Sequence, residues 1–395
     1  MPKWLPFSRD DIRDPGQRNV LFVSLSQGAS AVSFTFVDTL TPFYIFKVSP
    51  YSQRETLFWV GAIMGVIGLF LMVTAPMWGA MTHRFVPKRL FQRAQMANGL
   101  VFLGMGFTMD LRVLFALKLL QGIFGGVSTI GLILVSSSSS KERLGANVGL
   151  FQSCLTLGQL AGPPLGTLTA ATFGYRGAFV CGFLIVSAAT LLCQFKVTDV
   201  PLLPRPPKPA IKQPFDKRVL AGWAVCVMAQ IQLIFLPSIL PKVLETFNMY
   251  GAFALKIAGV VVMFYTAASA FGSFSLTRIT KKIGLVRLIT VLLVLSAVFQ
   301  ALLFLPRGIA GFTFVRMLQT GCAAAVIPLV FSIFASQKRG AVIGFINSSR
   351  FGGSASGPML AASVLAVSNL QTLFLVISGL TMLALVGFRF IFRSD

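Results

Sequence analysis

Long apolar stretches separated by short polar breaks run through the whole chain, and they restrict its fold more than any other feature. Each stretch holds about 20 residues, which is the length that a helix needs to cross a hydrocarbon core of about 30 Å. Lipid offers no hydrogen bonds to backbone N–H and C=O groups, so such a stretch crosses it as a helix. With 55% hydrophobic and 11% charged residues, the composition excludes an ordinary soluble protein. The breaks predict an all-α integral membrane protein with twelve transmembrane helices, with bounds near 20–46, 57–81, 89–108, 112–136, 144–172, 176–195, 219–241, 253–277, 286–305, 309–335, 341–367 and 371–391.

A proline-rich, basic segment over 196–218 is the longest connection between spans, and it divides the chain into two halves of six spans. The halves repeat each other, because a glycine and proline pattern in the fifth span returns at one fixed offset in the eleventh. The matching residues are Gly149 and Gly344, Gly158 and Gly353, Gly162 and Gly357, and Pro163 and Pro358. Repeated halves are typical of secondary transporters, so we expect two pseudo-symmetric six-helix bundles around a central cavity. The predicted parts are a cytoplasmic N-terminal arm over 1–19, a bundle over 20–195, a cytoplasmic linker over 196–218 and a bundle over 219–395.

Basic residues lie mostly in the loops on one side of the predicted spans. That side includes the N-terminal arm, the linker and the loops near 84–93 and 278–287. The loops on the other side hold few basic residues, namely Lys47, Arg54, Arg112, Arg176, Lys242 and Arg307. By the positive-inside rule, this asymmetry places both termini in the cytoplasm of a multi-pass protein of the plasma or inner membrane. It also accounts for the net charge of +23. Charges scattered over short loops beside anionic lipid disfavour a nucleic-acid partner.

Residue types for metal or enzyme chemistry are scarce. His83 is the only histidine, and the five cysteines all fall within apolar spans, so the sequence predicts no metal site and no disulfide framework. No carboxylate pair has catalytic spacing. We therefore expect a protein that is not an enzyme and that has no bound cofactor.

The stretch GLFQSCLTLGQLAGPPLG, residues 149–166, places glycines and prolines inside an apolar span. Glycines at helical spacing let two helix backbones approach closely, while a proline bends a helix and leaves a carbonyl free. The stretch resembles the fifth-span motif of the twelve-span drug:proton antiporter branch of the major facilitator superfamily, although Thr167 stands where a final glycine is usual. A generic face of small residues for helix packing is the alternative. The positions that match are Gly149, Gly158, Gly162, Pro163 and Gly166.

Two further stretches carry the same resemblance, which covers essentially the whole chain. GAMTHRFVPKR is similar to the family's loop between spans two and three, and its matching positions are Gly79, Arg84 and Lys88. His83 stands where the family has an aspartate that is thought to hold one conformation through a charge contact, and a histidine does not make that contact with the same sign. KLLQGIFGG is similar to the fourth-span motif, with Lys118 in place of arginine. The resemblance implies rocker-type alternating access between the two bundles.

Asp38 is the only acidic residue well inside a predicted span. A carboxylate in such a place costs about 2.5 to 3.5 kcal/mol on insertion scales, so by default it faces a cavity or a pathway. Lys118 lies at a similar depth, and the resemblance implies that the first and fourth spans both line the cavity. We therefore expect Asp38 to be the proton-binding group and Lys118 its charge partner. A static ion pair, or a lysine that reaches toward the membrane surface, is the alternative.

Polar and cationic side chains at other depths are candidates for substrate contact. Asn347 and Arg350 share one helix face near mid-membrane, and Arg316 lies in the outer third of the tenth span. A buried arginine without a carboxylate partner favours an anionic group on the substrate or on a lipid. Hydrogen bonding between helices is the alternative role for the uncharged residues. The candidates are Arg350, Asn347, Arg316, Gln121, Gln152, Gln159, Gln230 and Tyr265.

Together, these features predict a secondary active transporter that exports a small amphipathic organic compound or drug in exchange for protons, with the proton gradient as its energy source. Because of the excess of cations, a proton-coupled or facilitated transporter of an organic anion, siderophore or lipid-like metabolite stays open. A channel-like facilitator needs no titratable acid inside a span, so Asp38 disfavours it. The expected partners are a small-molecule substrate and membrane lipids, and we expect a monomer.

Overall fold

The computed structural model describes residues 14–140, 142–200, 216–335 and 340–392, and these residues form helices joined by turns. Most of the predicted arm and of the predicted linker lies outside the described residues. Two 3-10 turns, Met81–His83 and Leu276–Ile279, follow the second and the eighth α-helix. The helices are α1 Pro15–Val48, α2 Gln53–Ala80, α3 Pro87–Phe107, α4 Leu111–Ile123, α5 Val127–Ser137, α6 Leu144–Lys196, α7 Lys217–Thr246, α8 Gly251–Ser275, α9 Thr280–Ile283, α10 Leu285–Leu302, α11 Ile309–Ala335, α12 Gly340–Val367 and α13 Leu370–Phe392.

Within the described ranges, nine helical stretches are long and apolar enough to cross a membrane. One of them, α6, has 53 residues and is roughly 80 Å long, so it crosses twice. Gly174 divides it into two arms, because its φ of 73° belongs to a region of backbone conformation that glycine adopts readily. The remaining two crossings, α3 and α12, are less apolar because both carry several polar side chains. With α4 and α5 forming one interrupted crossing, the prediction of twelve spans is confirmed.

The crossings pack as two bundles that repeat one arrangement, in which α1 packs along the first arm of α6 and α7 packs along α12. The glycines of the 149–166 stretch lie at the first of these contacts. A Cβ atom on Gly158 would lie 2.8 Å from Ala31 Cβ, and one on Gly166 would lie 2.6 Å from the carbonyl oxygen of Phe36. These glycines therefore permit close packing inside one bundle.

The same contact between α1 and α6 includes Gly162, which packs on the Thr35 side chain, whereas Gly149 has no neighbour within 4 Å of a would-be Cβ atom. In the second bundle, a Cβ on Gly353 would lie 2.5 Å from Gln230 Cβ, and one on Gly357 would lie 3.5 Å from Ile231 Cα. The second copy of the pattern thus packs on α7 as the first packs on α1, although less tightly at Gly357.

The two bundles meet through α2 with α12 and through α6 with α8. Pro163 lies against Gly259 of α8, and Pro358 lies against Gly61 of α2, so the repeated prolines occupy matching places at the two contacts. We call the side of the molecule that holds the loop at 138–143 and the start of the linker the linker side. All of these residues lie in the half of their helices that is remote from the linker side. At the far end of the molecule, the Lys242 ammonium also lies 5.0 Å from the centre of the Phe46 ring, joining α7 to α1.

On the linker side the bundles separate. Gly149 and Gly344, near the linker-side ends of α6 and α12, have no neighbour within 4 Å of a would-be Cβ atom. Farther along the same two helices, the side chains of Gln152, Gln159 and Arg350 are exposed. The structure is therefore closed on the side opposite the linker and has a cleft that opens on the linker side.

Candidate functional site

A cavity of about 220 Å³ lies in the first bundle beside the cleft. Its apolar lining includes Phe34 on α1, Ile67 on α2, Phe102 on α3 and, from the second bundle, Phe351 on α12. Side chains of this kind beside polar groups suit an amphipathic small molecule. The polar lining residues are Gln27, Ser30, Thr35, Gln95, Asn98, Gln121, Ser128, Thr129 and Gln159.

One helical turn from this cavity, Lys118 Nζ donates a hydrogen bond to Asp38 Oδ1 over 3.3 Å. The lysine side chain is 1% exposed, whereas the aspartate side chain is 28% exposed. The carboxylate is thus accessible to protons, while its cationic partner is enclosed. The position follows from helical spacing, because Asp38 comes one turn after Phe34 on α1, and Lys118 comes one turn before Gln121 on α4.

The second bundle places Arg316 at the position that repeats Lys118, but it surrounds this cation differently. Arg316 is 0% exposed, and its Nη1 and Nη2 atoms donate to Gln319 Oε1 over 2.6 Å and to the Leu233 carbonyl over 3.1 Å. Its guanidinium carbon lies 4.7 Å and 4.9 Å from the ring centres of Phe235 and Tyr265. Neutral acceptors and aromatic faces therefore hold this arginine where the first bundle uses a carboxylate.

This environment separates Arg316 and Tyr265 from the cavity, since both side chains are enclosed in the second bundle. Gln230 is also buried, and it donates to Ser354 over 3.2 Å, which ties α7 to α12. Of the other candidates from the sequence, Gln121 and Gln159 line the cavity. Gln152 is exposed beyond the cavity and Asn347 is half-buried.

Arg350 directly precedes the cavity residue Phe351 on α12. Its side chain is exposed although protein surrounds most of it, as is usual in the wall of an open cleft. Arg350 is therefore a cation of the second bundle that a molecule in the cleft is able to reach from the linker side.

Three amide side chains of the cavity, those of Gln27, Gln95 and Asn98, were not predicted from the sequence. Gln95 and Asn98 are three residues apart on α3 and so share one face, a spacing that pointed to a polar cluster.

The loop between α2 and α3 is anchored within its own bundle. Lys88 Nζ donates to the Gln194 carbonyl on the second arm of α6 over 3.0 Å. Gly79 lies at the end of α2, where a Cβ would be 3.5 Å from Thr129. His83 is half-buried and Arg84 is exposed. Lys88 therefore connects this loop to the second arm of α6.

Twelve crossings in two repeated bundles, with an amphipathic cavity and an accessible ion pair beside the cleft between them, define a membrane transport protein. The chain belongs to the Major Facilitator Superfamily, whose family model matches residues 23–313 and 234–395. This membership identifies a transporter and not an enzyme.

Individual relatives are distant but span nearly the whole chain. The sequence is 22% identical over 372 residues to "Multidrug resistance protein MdtG" of Yersinia enterocolitica serotype O:8 / biotype 1B, covering 91% of this chain and 89% of the relative. Among solved structures, the human organic anion transporter MFSD10 (TETRAN) has a TM-score of 0.69 at 18% identity, covering 95% of this chain and 99% of that one. A bacterial homolog of the human lysosomal transporter Spinster has a TM-score of 0.79 at 11% identity, covering 95% and 96%. At these identities the solved structures show the shared fold.

Proposed function

We propose that the protein is a proton-coupled antiporter that exports a small amphipathic organic compound by alternating access. The observation that carries the proposal is the accessible Asp38 carboxylate, paired with the enclosed Lys118 ammonium one turn from the cavity. An ionisable pair inside a membrane, beside a cavity that suits an amphipathic molecule, places proton binding and substrate binding within reach of each other. The name of the relatives, multidrug resistance protein, supports a drug-like substrate.

The ion pair supplies a means of coupling. When Asp38 is ionised, it holds the Lys118 side chain, and when it is protonated, that electrostatic attraction is lost. Lys118 is one turn from Gln121, so a change in its position alters the cavity wall. Proton binding and substrate binding then affect each other by the same free energy, as linkage requires. An antiporter requires that binding of the proton and binding of the substrate weaken each other.

Movement of the bundles supplies access from each side in turn. The contacts of α2 with α12 and of α6 with α8 close the side opposite the linker. When these contacts open and the linker side closes, the cavity and Asp38 face the other solution. With both termini on the cytoplasmic side of the cell membrane, the described conformation takes up substrate from the cytoplasm. A monomer is sufficient for this cycle.

The test is transport by the purified protein in proteoliposomes with an imposed pH gradient, with fluorescent amphipathic compounds as substrates. We expect Asp38→Asn to abolish the part of transport that depends on the gradient. Asp110→Asn is the matched control, because Asp110 is an exposed residue that caps α4 through the backbone N–H of Arg112 and asparagine caps equally well. Undiminished gradient-driven transport by Asp38→Asn would disprove the proton role of this residue.

Transport of an organic anion is a second candidate, and the exposure of Arg350 favours it. Glu245 is the only acidic residue between 217 and 392, so the second bundle offers little competition for an anionic group. The same assay separates the two candidates if it compares anionic with cationic compounds in Arg350→Ala. Selective loss of anion transport in Arg350→Ala supports the second candidate. If the variant transports anions as well as the wild type does, Arg350 does not act by binding an anionic substrate. Arg389→Ala, at an exposed arginine near the end of α13, is the control.

A further inference from the structure

Three buried glutamines that line the cavity each carry a side-chain oxygen without a hydrogen-bond partner among the described residues. They are Gln27, Gln95 and Gln121, and the oxygen in each is Oε1. Gln95 is 0% exposed and the other two are 2% exposed. A buried polar atom without a partner costs about 1 to 3 kcal/mol, so a ligand that supplies partners to such atoms is stabilised. The three oxygens are enclosed in the described conformation, so a ligand in the cavity reaches them through a local change of the cavity wall.

The hydrogen bonds around Gln95 determine which of its amide atoms donates. Its Nε2 atom lies 2.8 Å from Ser26 Oγ and 2.7 Å from Ser30 Oγ. Ser26 already donates its proton to the Ala189 carbonyl, and Ser30 donates to the Ser26 carbonyl. Both hydroxyls are thus available to Gln95 only as acceptors. The NH₂ group must face them, which leaves Oε1 as an acceptor without a donor.

A second chain of hydrogen bonds determines the orientation of Gln121. Asn98 Nδ2 donates to the Ala94 carbonyl over 2.7 Å, so Asn98 Oδ1 is the atom that faces α4. Gln121 Nε2 donates to this oxygen over 2.9 Å. The amide of Gln121 is therefore oriented by its partner, and its Oε1 is again an acceptor without a donor. Gln27 Nε2 lies 3.0 Å from the hydroxyl of Ser128, which is able to donate or accept, so this contact does not fix the orientation of the Gln27 amide.

The two oriented acceptors belong to one patch. Gln95 and Asn98 lie one turn apart on α3, and Gln121 binds Asn98 directly. The described residues that line the cavity include no charged side chain. Lys118, one turn from Gln121, forms an ion pair with Asp38, so the two together add no net charge beside the cavity. An ammonium group in the cavity would have to leave water without an unpaired carboxylate in the lining to receive it, which is unfavourable.

We infer that this cavity binds an uncharged head group rich in hydrogen-bond donors, such as hydroxyl, carboxamide N–H or sulfonamide N–H, and that Gln95 and Gln121 accept its hydrogen bonds. This inference rests on the proposed function, because it specifies the substrate class of the same cavity. The apolar body of the substrate then lies against Phe34, Ile67 and Phe102. Donor groups, more than overall charge, determine which amphipathic compounds this cavity selects.

The test is a binding titration of purified protein in nanodiscs with two fluorescent compounds that differ in their donors. Dansylamide carries an uncharged sulfonamide with two N–H donors, and its N,N-dimethyl derivative has none. We expect the wild-type protein to bind dansylamide about fivefold to tenfold more tightly, as one good hydrogen bond to a buried acceptor allows. Dansyl ethylenediamine, which carries an ammonium group, is expected to bind more weakly than dansylamide.

Variants then assign the preference to the two glutamines. We expect Gln95→Met and Gln121→Met each to remove most of the preference, chiefly by weakening the binding of dansylamide. Gln300→Met is the matched control, since Gln300 on α10 is also 0% exposed and has unpartnered amide atoms but does not line the cavity. Unfolding temperatures of all three variants establish that they are folded.

Equal binding of dansylamide and its dimethyl derivative, binding of neither, tighter binding of the ammonium compound, or a preference that survives both glutamine substitutions would each overturn the inference. The titration requires no pH gradient. Failure of proton coupling therefore appears in the transport assay with Asp38→Asn, and failure of donor recognition appears here, so the two outcomes are distinguishable.

Discussion

The two bundles approach each other closely at Gly68 on α2, where the backbone of α12 lies directly against the glycine. A methyl group at this position would lie 2.5 Å from the Ala355 nitrogen, 2.8 Å from Ala355 Cα and 2.9 Å from the Phe351 carbonyl oxygen. These are backbone atoms within a helix, so no side-chain rotation removes the overlap. Gly68→Ala therefore forces α2 and α12 apart.

Overpacking of a close contact typically costs about 1 to 3 kcal/mol, and this cost falls on the described conformation. We expect the contact to be lost when the bundles open on the side opposite the linker. Each 1.4 kcal/mol changes an equilibrium constant about tenfold. We therefore expect Gly68→Ala to shift the population toward the conformation that is open on that side by roughly tenfold.

Pulsed EPR in nanodiscs measures this shift. Spin labels at Arg54 and Val367, exposed residues at the far ends of α2 and α12, report their separation after the partly exposed cysteines have been replaced. We expect a longer-distance population to grow in Gly68→Ala. Gly344→Ala is the control, because it adds the same methyl group to α12 with no neighbour within 4 Å. An unchanged distance distribution in Gly68→Ala, or the same change in the control, would refute the reasoning.

Two further predictions concern stability within each bundle, and thermal unfolding in detergent checks both. Gly158→Ala brings a methyl group against the Gly28 carbonyl and Ala31, so we expect a lower midpoint, whereas Gly149→Ala should leave the midpoint unchanged; equal midpoints would contradict the packing argument. Arg316→Met removes the donors to Gln319 and the Leu233 carbonyl and leaves buried acceptors unpaired, so we expect a loss of about 1 to 3 kcal/mol; an unaltered midpoint would show that these bonds contribute little.

The crossings were predictable from sequence because each one depends on local composition. The predicted break between the fifth and sixth spans falls beside Gly174, where the long helix α6 changes direction. The interruption between α4 and α5 was not predicted, although Gly126 there has a φ of 100°. A short interruption does not alter the hydropathy of a span, so composition alone does not reveal it.

Part of the candidate site was likewise predictable from the sequence, and part was not. Depth along a helix is a property of the sequence, so Asp38 and Lys118 were expected at similar depth, and the structure brings their side chains to 3.3 Å. The surroundings of Arg316 were not predictable, because its partners come from α7 and α8 as well as its own helix. The polar cluster of Gln95 and Gln121 likewise spans two helices.

Sequence by itself determined that this chain crosses a membrane repeatedly as helices in two related halves, since the need to satisfy backbone groups in lipid acts on each segment separately. Only the tertiary structure decided which buried polar atoms find partners and which remain without one beside the cavity. A hydrogen bond between helices depends on the rotation and separation of both, and neither quantity is encoded in the composition of one segment.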